Sequence, residues 1–251
     1  MTAPPIRLVF LGQLGAPGRY APDLFAEEPG GDDEVHWFRL TLERAGLADR
    51  VAYEGRRICR GAPLPPAEGA DAPDAVVIGG SFHSVHDDLP WQRALVAWLR
   101  RLRARADGGP PVFGICGGHQ IMARALGAPV ERLPDGEMAA TLPVELTEAG
   151  RTHYLFDGLG DPPSFHFGNE EHVAHPPDGA TVLAVRPELP AAALDFGGGW
   201  LSVQFHPEAE AESFARGWRH THPEYMVNYR PVPQTPRIFR NFLEGTGVLS
   251  A

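Results

Sequence analysis

The chain predicts an α/β fold: a mostly parallel central sheet with helices on both faces, plus a small antiparallel extension. Three observations point there. Short apolar runs alternate with helical stretches along most of the chain, the pattern of a parallel sheet with covering helices. One apolar run, Pro111–Ile115, ends in Cys116 and passes at once into a helical stretch holding Ile121, Met122, Ala125 and Leu126. Late in the chain, Ala191–Phe196 and Trp200–Phe205 flank Gly197-Gly198-Gly199, a hairpin signal that supplies the antiparallel part.

Taken in order, Ile6–Leu11 reads as the first strand and Gly12–Gly18 as a loop. Residues 20–34, rich in Pro, Gly, Asp and Glu, read as a longer surface loop. Val35–Ala45 carries Trp37, Phe38, Leu40 and Leu42 and reads as a helix ended by Gly46. Val51–Tyr53 reads as a short strand, and Gly61–Pro73 as a Pro/Ala/Gly loop. Asp74–Ile78 is an apolar strand running into Gly79-Gly80-Ser81. Pro90–Ala106 is the clearest helix. Pro90 fits its first turn, and Asp87 and Asp88 are placed to serve its N-terminus. Trp91, Leu95, Trp98, Leu99 and Leu102 form its apolar stripe, while Arg93, Arg100, Arg101 and Arg103 face out. Ala128–Leu133, Leu142–Leu146 and Thr181–Val185 read as further strands. The stretch from Ala209 to Arg240 is long and aromatic-rich. His220 and His222 within it read as surface or packing residues rather than metal ligands.

Composition bounds the function. The 251 residues suffice for one domain, 1–251, with a full core. A net charge of −10 gives no footprint for nucleic acid and no basic face for membrane lipid. All 22 basic residues are arginine, which excludes lysine chemistry such as a Schiff base or a P-loop. Two cysteines far apart do not make a disulfide framework, and a free thiol suits a reducing compartment. Met1–Pro5 has no signal-peptide character and no run reaches transmembrane length, so the cytoplasm is the expected location.

Cys116 stands out because of its neighbours. A reactive side chain on a tight strand-to-helix turn is a nucleophile elbow. Gly114 and Gly118 lie two residues to either side, where side chains would crowd the turn. The following helix points its N-terminus at the sulfur, which favours thiolate. The other half of the site comes later, where His206-Pro207-Glu208 ends the last apolar run. A cysteine nucleophile needs a base and the base needs an orienting group, roles that His206 and Glu208 can fill. Cys59, in Arg57-Ile58-Cys59-Arg60, reads as a buried small hydrophobe. An α/β-hydrolase would place its acid before the histidine, on a separate loop. The small cysteine-elbow peptidases and chaperones usually carry histidine directly after the cysteine, where Gly117 stands here.

The stretch Gly114-Ile115-Cys116-Gly117-Gly118-His119-Gln120, the late His206-Pro207-Glu208 and the Gly79-Gly80 loop together resemble the class I (triad) glutamine amidotransferases. The similarity is to stand-alone glutaminase domains of the GMP-synthase-like kind. It implies a flavodoxin-like fold and attack by Cys116 on the side-chain amide of glutamine. It implies an oxyanion hole from the N–H groups of Gly80 and Gly117, with Gly79, Ser81 and Gln120 around the substrate. The products are ammonia and, through a γ-glutamyl thioester, glutamate. No metal or cofactor is needed for this half-reaction. Three uses of the site stay open: supply of ammonia to a separate ATP-dependent synthetase subunit, hydrolysis of another γ-glutamyl amide such as a polyamine conjugate, or partner binding by a degenerate domain. Phe165–Val173 stands where family members carry a histidine-containing substrate segment, and Glu170 replaces that histidine beside Asn169. This implies either an altered substrate contact or a solvated loop.

Overall fold

The computed structural model describes residues 5–134 and 136–250. The expectation that Met1–Pro5 lacks signal-peptide character falls outside this range except for Pro5. Five strands run parallel: β1 (Ile6–Gly12), β2 (Val51–Arg57), β3 (Ala75–Ile78), β4 (Val112–Ile115) and, from the far end of the chain, β12 (Trp200–Val203). Three more complete an eight-stranded sheet on the antiparallel side: β7 (Glu145–Leu146), β10 (Thr181–Arg186) and β11 (Leu189–Asp195). The order is β2-β1-β3-β4-β12-β11-β10-β7, so β4 and β12 lie side by side at the centre. Two antiparallel pairs stand apart from it, β5 (Val130–Arg132) with β9 (Glu171–Val173), and β6 (Met138–Pro143) with β8 (Ser164–Asn169).

Successive side chains of the central strands enter two cores. Leu8, Phe10, Val77 and Phe113 face helices α1 (Glu34–Arg44) and α6 (Arg237–Gly245), where Phe10 stacks on Phe38 at 4.4 Å and Phe113 tilts against Phe242 at 5.3 Å. Val9, Leu11, Val76, Ile78 and Val112 face α2 (Pro90–Arg103) and α3 (Gly117–Ala125), against Leu95, Trp98, Leu99 and Met122. With both faces covered, β3 and β4 are buried and free of polar side chains throughout. Each fully buried Leu, Val or Phe contributes roughly 1.5–3 kcal/mol. Two short helices remain: α4 (Glu148–Arg151) packs on β10, and α5 (Ala211–Arg216) follows β12.

Some expectations are corrected. Asp87 and Asp88 do not serve the start of α2: Leu89, held extended by the following proline, is its N-cap, and the Gln92 side chain accepts the Leu89 N–H at 2.8 Å. Asp88 has turned to φ 50° and binds Arg93 instead. Leu142–Leu146 is not one strand, since β6 ends at Pro143 and pairs with β8 while β7 joins the main sheet. Phe165–Val173 is no solvated loop: it forms β8 and β9, and Phe165, His166 and Phe167 are fully buried. His220 and His222, read as surface or packing residues, need no correction: they pair with Asp23, Glu137 and Glu224.

Glu34, the first residue of α1, is a buried carboxylate whose two oxygens accept the Leu14 N–H at 3.0 and 2.9 Å. Burial pushes its pKa up to about 8 against the pull of that N–H and of Arg57. A carboxyl protonated in the fold but ionised when unfolded adds stability that is whole below its ordinary pKa and is lost as pH rises through about 8. Urea midpoints should therefore fall more steeply between pH 5 and 9 in the natural chain than in Glu34→Gln. Equal slopes would show that Glu34 is ionised in the fold.

Candidate active site

Cys116 is the hinge between β4 and α3, with φ 49° and ψ −102°. A non-glycine residue there carries of order 1–3 kcal/mol of strain, which the surrounding packing holds. The Cys116 N–H donates to Val203 O at 2.8 Å, fixing the elbow to β12. The two flanking glycines are sterically required. A Cβ on Gly118 would meet Ile78 O at 2.3 Å, and one on Gly114 would meet Met122 Sδ at 2.6 Å and the Gly118 carbonyl at 2.8 Å.

His206 lies just beyond β12, and its N–H donates to His166 O on β8 at 2.9 Å. Its Nδ1 pairs with Glu208 Oε1 at 2.7 Å. A carboxylate only accepts, so Nδ1 carries the hydrogen there. Burial opposes charge on His206, but Glu208 and the adjacent Cys116 sulfur override it and its pKa is pushed up to about 10. The turn is tied down by its carbonyls: Thr41 Oγ1 and Arg44 donate to Glu208 O, and Thr235 Oγ1 donates to Pro207 O.

The Gly79–Ser81 loop closes the other side. The Gly79 N–H donates to Leu11 O at 3.0 Å. A Cβ on Gly80 would lie 2.8 Å from His206 Cε1, and one on Gly117 would lie 2.9 Å from Ser81 N. Loop, elbow and histidine are thus in contact. Gly117 opens α3, where first-turn N–H groups have no partner within the helix. Ser81 Oγ is engaged locally, accepting the His83 N–H.

Gln120, Asn169 and Glu171 form one polar wall, with Gln120 Nε2 and Asn169 Nδ2 both donating to Glu171 O. Asn169 Oδ1 is buried without a partner among the described residues. Glu170 is exposed at the bend between β8 and β9, with its side chain bordering the same cavity.

Sequence reasoning passed over several residues here. Gln204 Nε2 lies 3.4 Å from Cys116 Sγ, and its Oε1 accepts from Gln120 at 3.1 Å. A glutamine inside an otherwise apolar strand was its available signal. Gln13 Nε2 donates to Gly79 O at 2.8 Å and so sets the plane of the peptide whose N–H belongs to Gly80. His166 is buried, with Nδ1 on Thr141 Oγ1. Burial and the nearby His206 lower its pKa to about 4, which keeps the ring neutral. Phe214 packs on His206 at 4.6 Å. Among the described residues, no group of three or more His, Cys, Asp or Glu side chains is placed to hold a metal ion, and no helix is long and apolar enough to cross a membrane.

Residues 62–218 match the family described as glutamine amidotransferase class-I. A GMP synthase [glutamine-hydrolyzing] of Aeropyrum pernix is 35% identical over 214 residues, covering 84% of this chain and 36% of that protein. The counterpart from Burkholderia vietnamiensis is 34% identical over 146 residues, 55% of this chain and 25% of that one. The chain therefore spans about a third or less of these relatives. Among solved structures, a glutamine amidotransferase from Thermotoga maritima superposes with a TM-score of 0.69 at 18% identity, covering 96% of this chain and 97% of that one. A glutamine amido transferase from Methylobacillus flagellatus gives 0.65 at 18%, covering 96% and 94%, and at such identity both speak for the fold alone. With residues 62–218, more than half of the chain, matching this family, the chain belongs to the class-I glutamine amidotransferases.

Proposed function

We propose that the chain is a single glutaminase unit in which Cys116 cleaves the side-chain amide of glutamine. The observation that carries this is the meeting of three chain segments at one point: the elbow cysteine, the His206–Glu208 pair at 2.7 Å and the Gly80 loop against the imidazole. Cys116 Sγ, its proton already held on His206, bonds to the amide carbon as the carbonyl electron pair moves onto oxygen. The N–H groups of Gly80 and Gly117 receive the oxyanion. The C–N bond then breaks, His206 returns a proton to the leaving nitrogen, and a γ-glutamyl thioester remains. His206 next takes a proton from water, whose oxygen displaces the sulfur and releases glutamate. Glu208 holds the imidazole tautomer throughout. Asn169, Gln120 and Glu170 border the cavity where the glutamyl end would lie. A thiol nucleophile of this kind works in a reducing compartment, and the cytoplasm is the compartment assigned to it.

The released ammonia has a natural consumer. The matched relatives are named for hydrolysing glutamine and making GMP, and their match to this chain covers at most about a third of their length. We place an ATP-dependent synthetase outside these 251 residues as the acceptor. Ammonia release from glutamine by the purified chain tests this. Slow release alone, raised severalfold by a co-purifying synthetase, is the expected result. Absence of release in both conditions would reject it. One observation favours a second reading, a hydrolase of larger γ-glutamyl amides: the cavity at Cys116 measures about 780 Å³.

A further inference from the structure

That volume lies in the upper part of the roughly 300–1,000 Å³ range of pockets for drug-sized ligands, far more than free glutamine fills. Its walls are unequal. The Gln120–Asn169–Glu171 wall is polar and hydrogen-bonded within itself. Elsewhere the lining mixes charged side chains, Arg19, Arg44, Arg132 and Glu210 among them, with an aromatic cluster beside the Gly79–Ser81 loop. Phe82, which follows the Gly79–Ser81 loop, lies against Tyr20 at 5.4 Å and Phe25 at 6.1 Å, and Phe25 against Trp37 at 5.0 Å. Phe82 is 40% exposed, one of the few large apolar side chains left open. Phe214 also borders the cavity and packs on the His206 ring at 4.6 Å.

The chemistry fixes which end of a substrate meets these rings. The carbonyl oxygen must sit at Gly80 and Gly117, and the leaving nitrogen must reach the proton donor His206. Gly80 touches His206, so the nitrogen departs between the Gly80–Phe82 loop and the His206–Phe214 stack. Any group borne by that nitrogen emerges between Phe82 and Phe214. The outer wall there is built from two segments, residues 20–37 and 209–222. They are joined by ion pairs, Arg216 to Glu28 at 2.5 Å and Arg219 to Glu27 at 2.8 Å. Ammonia alone leaves this chamber unfilled.

We infer that the site takes γ-glutamyl amides whose nitrogen carries a flat apolar group, an aryl or arylalkyl amine, and hydrolyses them to glutamate and the free amine. The inference rests on the thioester chemistry proposed above. The steps balance as before: the sulfur–carbon bond forms and the carbon–nitrogen bond breaks, the amine leaves with a proton from His206, and water resolves the thioester.

Three substrates of matched glutamyl half test it: glutamine, γ-glutamylmethylamide and γ-glutamylbenzylamide. The two substituted nitrogens are both alkyl amides of similar reactivity, so a difference between them reads the pocket. The benzylamide should show kcat/KM roughly tenfold or more above the methylamide, the scale of added apolar contact in a fitted pocket. Phe82→Ala should cut that benzyl-to-methyl ratio severalfold, and because Phe82 is partly exposed the substitution leaves the core intact. Turnover of glutamine with a benzylamide no better than the methylamide would overturn the amine pocket and leave the thioester reading standing. No product from any of the three would overturn both.

Discussion

Cys116→Ala is expected to lower turnover of any γ-glutamyl amide by at least about four orders of magnitude, the scale seen when a covalent nucleophile is removed. A chloroketone or diazoketone analogue of glutamine should alkylate the natural chain at Cys116 and leave Cys59 untouched. The two thiols differ physically. Cys59 is buried, and burial followed by the negative charge of Glu34 raises its pKa to about 11. Cys116 borders the main cavity beside His206. Peptide mass spectrometry checks both points at once. An adduct on Cys59, or a Cys116→Ala protein that keeps its activity, would remove the nucleophile assignment.

The second large effect concerns the pair behind it. His206→Ala should cost nearly as much as losing Cys116, since no other described base touches the sulfur. Glu208→Gln should cost one to two orders of magnitude less, as removal of the orienting acid does in a comparable triad. It should also move the alkaline limb of the kcat/KM profile to lower pH, because the carboxylate that helps hold the proton on His206 is gone. The stability His206 gains from its partners is whole below its ordinary pKa and disappears as pH rises through about 10. A Glu208→Gln enzyme with an unmoved alkaline limb, or one more damaged than His206→Ala, would refute this division of roles.

The parallel strands and the elbow are legible in the chain because each is a local pattern. Ile6–Leu11 and Pro111–Ile115 are apolar on both faces, and a cysteine set between glycines, after a strand and before a helix, marks a tight turn within a few residues. The β8–β9 segment is harder. Phe165-His166-Phe167 has a polar residue between aromatics and Gly168-Asn169 after it, which suggests a loop until its partner β6 is known. Pairing across the chain carries that information, and periodicity does not. Helix α6, from Arg237 to Gly245, escapes sequence reading for a related reason: its apolar stripe becomes legible only against Phe38 and Phe113. Gln204 and Gln13 act through contacts with Cys116 and Gly79, neither adjacent in sequence. The two segments at 20–34 and 212–230 stand out in the chain by length alone. Their closure on each other by Arg216–Glu28 and Arg219–Glu27 is a tertiary fact.

That closure gives the molecule a division of labour. The proposed reacting groups sit at the ends of β4 and β12 and on the loop after β3, anchored in a sheet packed on both faces. The chamber walls hang on outlying segments joined to one another chiefly by side-chain charges. On the amine-pocket inference, changes in those segments would recut which amine is admitted without disturbing the proposed bond-breaking apparatus. Reactivity and selectivity are therefore separately adjustable, and a new specificity can be sought by exchanging residues 20–34 and 212–230 as a matched pair.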